Sequence, residues 1–253
     1  MNLVNKVAVI TGGAGHIGQA TAHRLASHGA RIFSLVRRNV NEAQDLLDKL
    51  PNKYLDHRAL LVDVKDSTQI KQAAQTIAEL AGRCDILVNS AAIALHPPHI
   101  LDFPDDQFDE IMAINLKGPW LMIREFYSLL KHTGDGLVIN ISSVASVRTR
   151  PTSVFYSATK AGLNAMSESL AKALGPEVRV VALAPSMLPT PVSGYPFILD
   201  KKFGAFTIDE LASASPVKRI CTADDVADVI ESLATKMKFY NGHLIVLDGG
   251  AIL

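Results

Sequence analysis

The stretch that decides the fold is Val7 to Gly18, which reads VAVITGGAGHIG. Val7 to Thr11 is a short apolar run of β-branched type, the mark of a strand buried on both faces of a parallel sheet. It runs directly into glycines at 12, 13, 15 and 18, which let the backbone turn tightly and approach a ligand closely. A helix begins near Ile17, continues through QATAHRLASH and ends at Gly29. The free amides and dipole at its start favour a pyrophosphate. A glycine loop by itself is only a turn; strand before and helix after is the context of a dinucleotide site.

The rest of the amino-terminal half repeats this alternation. Arg31 to Val36 is a second strand, Asn41 to Leu50 a helix closed by Pro51, and Ala59 to Val62 a third strand that ends at Asp63. Ser67 to Ala81 is helical, with apolar residues at 70, 73, 74, 77 and 81, and Ile86 to Val88 is a fourth strand entering Asn89, Ser90, Ala91 and Ala92. Strands alternating with helices imply a parallel sheet with right-handed crossovers. In such folds an acid at the end of the second strand holds the adenosine ribose. Here that place is Val36, followed by Arg37 and Arg38, and guanidinium matches phosphate geometry. The pattern favours the 2′-phosphate of NADP(H) over NAD(H).

Composition narrows the function classes. Hydrophobic residues make up 48% and charged residues 20%, as in a soluble globular protein. Lys plus Arg is 25 and Asp plus Glu is 25, so nothing points to nucleic acid or to an anionic membrane as a partner. No apolar run approaches the ~20 residues of a membrane span. Cys84 and Cys221 have neither metal-ligand spacing nor a partner motif, and MNLVNKVAVITGG lacks a signal-peptide pattern, so the expected compartment is the cytoplasm. His96 and His99 in HPPH lack the rest of a metal site, and no metal is expected. With no repeat and no linker, residues 1–253 read as one domain.

A second stretch carries the chemistry. Ser143 to Lys160 reads SVASVRTRPTSVFYSATK. Tyr156 and Lys160, four residues apart, share one helix face. A tyrosine is protonated at neutral pH, its pKa being near ~10, and a nearby ammonium lowers that value. Ser143 follows the apolar run LVINI, and the intervening loop can fold it back beside the tyrosine. A hydroxyl, a phenol and a cation aimed at one point can protonate a carbonyl oxygen while hydride reaches its carbon.

These motifs together resemble the short-chain dehydrogenase/reductase family, over nearly the whole chain. TGGAGHIG at 11–18 is similar to its cofactor loop and NSAA at 89–92 to its Asn-Asn-Ala-Gly stretch. Asn115 in INLKG, Ser143, Tyr156 and Lys160 match its catalytic tetrad in order and spacing. The resemblance implies a Rossmann-type, doubly wound parallel sheet of about seven strands with helices on both faces. It implies an NADP(H)-dependent oxidoreductase acting on a small-molecule carbonyl–alcohol pair, with a homotetramer or homodimer as the assembly. Tyr156 is the implied acid and base, Lys160 lowers the tyrosine pKa and binds the nicotinamide ribose, Ser143 polarises the carbonyl, and Asn115 holds a relay water. Cofactor contacts are implied at Gly12, Gly15, His16, Ile17, Gly18, Arg37, Arg38, Asp63, Val64, Asn89, Ala91, Pro185, Leu188 and Thr190, together with Tyr156 and Lys160.

The sequence departs from the family at three places. His16 replaces the second glycine of the loop, Ser90 and Ala92 replace Asn and Gly, and Ser186 replaces the glycine after Pro185. Asp105 to His132 is a long helical stretch that Gly118-Pro119 should kink or loosen by one turn. Ser153 to Leu174 is the helix carrying Tyr156 and Lys160, with small residues at 158, 161, 162 and 165. Val178 to Leu183 and His243 to Val246 are further strands, and Asp224 to Leu233 is a helix capped by Thr222. Between them, 185–215 is irregular and aromatic, the composition of a substrate lid. Arg148 and Arg150 flank the site in sequence. Two enzymatic rivals share the motifs, a 3-oxoacyl-carrier-protein reductase and, on the strength of His16, a pterin-type reductase. A non-catalytic NADP(H)-sensing protein is the rival from another class.

Overall fold

The computed structural model describes residues 3–95, 99–189 and 208–252. Seven strands form one parallel sheet: β1 (Val7–Thr11), β2 (Arg31–Val36), β3 (Arg58–Leu61), β4 (Ile86–Asn89), β5 (Gly136–Ile141), β6 (Val178–Pro185) and β7 (Leu244–Leu247). Their order is β3-β2-β1-β4-β5-β6-β7. The order reverses direction at β1, whose neighbours are β2 on one side and β4 on the other. A crevice opens at that point, outside the carboxyl ends of the strands. The expected Rossmann-type sheet is the fold.

Alternation along the strands divides the core into two layers. Ala8 and Ile10 point to one face with Ile32, Val88, Leu137 and Ile139, and there meet α1 (His16–Ser27) and α8 (Ala223–Thr235). Val7 and Val9 point to the other face with Phe33, Leu87 and Val138. That face is covered by α3 (Ser67–Ala81), α5 (Gly118–Lys131) and α6 (Val154–Leu174). Each large side chain buried there, Phe33 and Phe126 among them, stabilises the fold by roughly 1.5–3 kcal/mol. Three further helices are α2 (Val40–Leu47), α4 (Asp105–Met112) and α7 (Ile208–Ala214).

Most expected elements appear within a residue or two of their place. Thr222 caps α8 in a reciprocal capping box with Asp225. The long helical stretch takes the loosened form of the two expected ones. It is continuous, but Ala113–Lys117 between α4 and α5 is a π turn. Pro119 explains it: proline has no N–H, so Asn115, four residues earlier, lacks its α-helical donor. The strain is absorbed in the turn before Gly118-Pro119 as a one-residue expansion instead of a sharp kink.

Candidate active site

A cavity of about 550 Å³ runs along the carboxyl ends of the strands, within the range of small-molecule sites. One end is built from the glycine loop. Gly12 has a φ of +65°, and a Cβ there would meet the Ala91 backbone at 3.0 Å. Thr11 fixes that approach, because its Oγ1 accepts hydrogen bonds from the N–H groups of both Ser90 and Ala91 at 3.1 Å. The first turn of α1 begins after Gly15 with no side-chain cap, and Gly15, His16 and Ile17 line the cavity. Open amides at a helix start, beside a glycine-rich loop, suit the pyrophosphate of a dinucleotide.

The other end gathers Ser143, Tyr156 and Lys160, all lining the same cavity. Tyr156 and Lys160 sit one turn apart on α6, and Ser143 starts the short turn Val144–Ser146 after β5. The Lys160 ammonium is 2% exposed and donates to the carbonyl of Ile141 at 2.8 Å. Burial lowers its pKa to about 8. Burial also raises the Tyr156 pKa above its ordinary value, while a hydrogen bond with the Ser143 side chain pulls it down. This corrects the expected order of influences. Desolvation governs the phenol, Ser143 opposes it, and the ammonium stands 5.7 Å from the ring centroid with a bond to Ile141.

Asn115 lies in the π turn and is fully buried. Its Oδ1 accepts from Ile93 N–H at 2.9 Å, and its Nδ2 donates to Ile93 C=O at 2.8 Å and to Thr159 Oγ1 at 3.3 Å. Thr159 Oγ1 in turn donates to the Tyr156 carbonyl at 2.7 Å. The amide therefore clamps the chain after β4 to the helix that carries the tyrosine. It does not line the cavity, and its side chain is spent on protein, so the amide itself acts here as a positioning group.

The other expected contacts divide. Arg37, Asp63, Val64, Ala91, Pro185 and Leu188 line the cavity. Arg38 is exposed and outside the lining. Gly18 is buried behind the loop, where a Cβ would press on Gly12 O at 2.5 Å. Asn89 is buried, donating to Asn140 Oδ1 at 2.8 Å, so it ties β4 to β5. Thr190, His96 and the lid aromatics Tyr195, Phe197, Phe203 and Phe206 lie outside the described residues. Arg148 and Arg150 do line the cavity, and Arg148 donates to Ala251 C=O at 3.2 Å.

Sequence reasoning missed the residues that hold Ser143. Ser142 Oγ donates to Asn164 Oδ1 at 2.6 Å, and Asn164 Nδ2 donates to Ser146 Oγ at 2.8 Å. Ser146 Oγ donates to the Ser143 carbonyl at 2.6 Å, and Ser143 Oγ accepts from Ala145 N–H at 3.1 Å. One amide thus pins the serine loop at both ends. The signal was present: Asn164 is one turn beyond Lys160 on the same face.

A family model for short chain dehydrogenase matches residues 6–196. The chain is 34% identical over 251 residues to D-threitol dehydrogenase of Mycolicibacterium smegmatis, covering 98% of this chain and 93% of that protein. It is 30% identical over 257 residues to a 3-oxoacyl-acyl-carrier-protein reductase of Thermotoga maritima, covering 100% of each. Among solved structures, it resembles the 3-ketoacyl-acyl-carrier-protein reductase of Brucella melitensis complexed with NADH. The TM-score is 0.87 and the identity 27%, over 99% of this chain and 100% of that one.

Proposed function

The chain belongs to the short-chain dehydrogenase/reductase family of NAD(P)-dependent oxidoreductases, and from that membership we propose that it interconverts a carbonyl and a secondary alcohol, with NADP(H) preferred. The observation that carries the reading is one cavity with a glycine-rich loop and an uncapped helix start at one end and Ser143, Tyr156 and Lys160 at the other. When bound, the nicotinamide supplies or accepts the hydride.

The chain's own residues handle the proton. Tyr156, kept protonated by burial, gives its phenolic proton to the carbonyl oxygen in reduction and takes it back in oxidation. Ser143 Oγ accepts from Ala145 N–H, and its own hydrogen, which here meets Tyr156, turns to the same carbonyl oxygen when substrate is bound. An ammonium has three donors; Lys160 uses one on Ile141 and keeps the others for the ribose hydroxyls. Asn115 fixes the spacing between these groups, and its backbone carbonyl, deprived of a helical donor by Pro119, is the group left to hold water. The NADP(H) preference rests on Arg37 in the cavity wall, with Val36 where an acid would bind the ribose.

A second reading is favoured by the two relatives named as acyl-carrier-protein reductases, in which the carbonyl belongs to a 3-oxoacyl thioester. Self-association is supported by an open apolar patch of Met112, Leu116, Trp120 and Met166 on the outer face of α4, α5 and α6. Among the described residues, no helix is long and apolar enough to cross a membrane. Two buried free thiols, Cys84 and Cys221, support the cytoplasm as the compartment.

The test is oxidation of NADPH and NADH across ketones, sugars, quinones and β-keto thioesters, with Tyr156→Phe alongside. Turnover with NADPH that vanishes in the variant supports the reading. Preference for NADH would remove the role of Arg37, and activity confined to carrier-bound thioesters would select the second reading.

A further inference from the structure

Three elements converge on the rim of the cavity beyond the glycine loop. Arg37 follows β2, Asp63 and Lys65 follow β3, and Glu110 projects from α4. The Glu110 Oε1 lies 3.5 Å from Arg37 Nη1 and 3.5 Å from Lys65 Nζ. Lys65 Nζ also lies 3.9 Å from Asp63 Oδ2. The rim therefore holds two cations and two carboxylates and is close to neutral.

We propose that Glu110 sets how strongly the chain discriminates NADP(H) from NAD(H), by competing with the cofactor 2′-phosphate for the Arg37 guanidinium. The inference rests on the reading that Arg37 faces that phosphate. NAD(H) presents a hydroxyl there and leaves the Arg37–Glu110 pair intact. NADP(H) brings a phosphate that must either displace the carboxylate or lie beside it. Displacement costs an ion pair, and coexistence costs repulsion between like charges. Arg37 by itself would favour the phosphate, and Glu110 offsets part of that preference. Without the carboxylate the rim gains one net positive charge, directed at the group that differs between the two cofactors. The pair is about a third exposed on each side, 34% and 39%, so solvent and salt weaken the effect without abolishing it.

The experiment is titration calorimetry of NADP+ and NAD+ against the wild type, Glu110→Gln, Arg37→Gln and the double variant, at low and high salt. Glu110→Gln is expected to tighten NADP+ by about three- to tenfold and to change NAD+ by less than about twofold. That gain should vanish in the Arg37→Gln background and shrink at high salt. Equal tightening of both cofactors, no change in either, or a gain that survives without Arg37 would overturn the proposal. If Arg37→Gln leaves NADP+ affinity unchanged, the cofactor reading fails and this inference falls with it. If Arg37→Gln weakens NADP+ while Glu110→Gln is neutral, this inference alone falls.

Discussion

The ammonium nitrogen of Lys160 lies 5.7 Å from the centroid of the Tyr156 ring. It reaches the carbonyl of Ile141, at 2.8 Å, and so stands beside the ring, held by the end of β5. Tyr156 is thus a half-buried phenol in the cavity wall, hydrogen-bonded with Ser143. The arrangement suits a general acid.

Tyr156→Phe removes the proton donor and leaves the ring in place. Turnover should fall by about two to four orders of magnitude, with cofactor affinity nearly unchanged. Steady-state kinetics beside a direct cofactor titration is the check. Near-normal turnover would sink the assigned role.

Direction should determine how the rate responds to pH. Carbonyl reduction uses the phenol, which burial keeps protonated, so its rate should be flat through neutral pH and fall only in alkali. Alcohol oxidation needs the phenolate and should climb with pH over the same alkaline range. Rate profiles in both directions test this, and a reduction rate that falls between pH 6 and 8 (about two to four units below an ordinary phenol) would contradict it.

Lys160 links the site to stability. Its pKa is about 8 in the fold and 10.5 ordinarily. Between those values the unfolded chain binds more protons, so stability rises with pH across the window. The cost of the buried cation is fully present below about pH 8 and is relieved as pH approaches 10.5. The difference in unfolding free energy between wild type and Lys160→Met should therefore move toward the wild type by on the order of 2–3 kcal/mol from the lower to the upper end. Denaturant melts at several pH values measure it. A difference that does not vary with pH would mean the lysine titrates normally.

Asn164 positions Ser143 through Ser142 and Ser146. Asn164→Ala should lower kcat by about tenfold while KM and cofactor affinity move little. Asn164→Asp can still accept from Ser142 but cannot donate to Ser146, so it should fall between the two. Equal kinetics for all three proteins would remove the residue from the machinery.

Gly18→Ala should be costly although the residue never faces the cavity. The new Cβ would lie 2.5 Å from Gly12 O and 2.6 Å from Gly13 Cα, both backbone atoms of the loop. We expect a stability loss of about 1–3 kcal/mol together with weaker dinucleotide binding. Thermal melts with and without cofactor separate the two effects. An unshifted melt would show that the helix start can move away from the loop.

The sheet was legible because its signals are local. Val7–Thr11 and Arg31–Val36 are buried on both faces, so their apolar runs mark strands without help from distant residues. The grouping of Ser143, Tyr156 and Lys160 was legible for a similar reason, since Tyr156 and Lys160 share a helix face and Ser143 lies just past a strand. Asn115 was found, but the clamp made by its side chain was not. Its partners, Ile93 and Thr159, are 22 and 44 residues away, and no spacing rule reveals such a clamp. The glycines looked alike in sequence, yet Gly12 and Gly15 line the cavity while Gly18 is spent on packing. Arg37 and Arg38 are neighbours, but only Arg37 reaches the wall, a distinction set by where β2 ends. The pairing of Arg37 with Glu110 was hidden by distance along the chain.

The π turn at Ala113–Lys117 has a geometric consequence for the whole helical stretch. A helix advances about 100° per residue, so one extra residue shifts the phase of everything after it relative to everything before. α4 buries Ile111 against the site-side cluster, whereas α5 buries Leu121, Phe126 and Leu130 against the sheet. The two halves share one rod but keep separate phases. The expanded turn works as a coupling between two misaligned screws, with Asn115 at the joint.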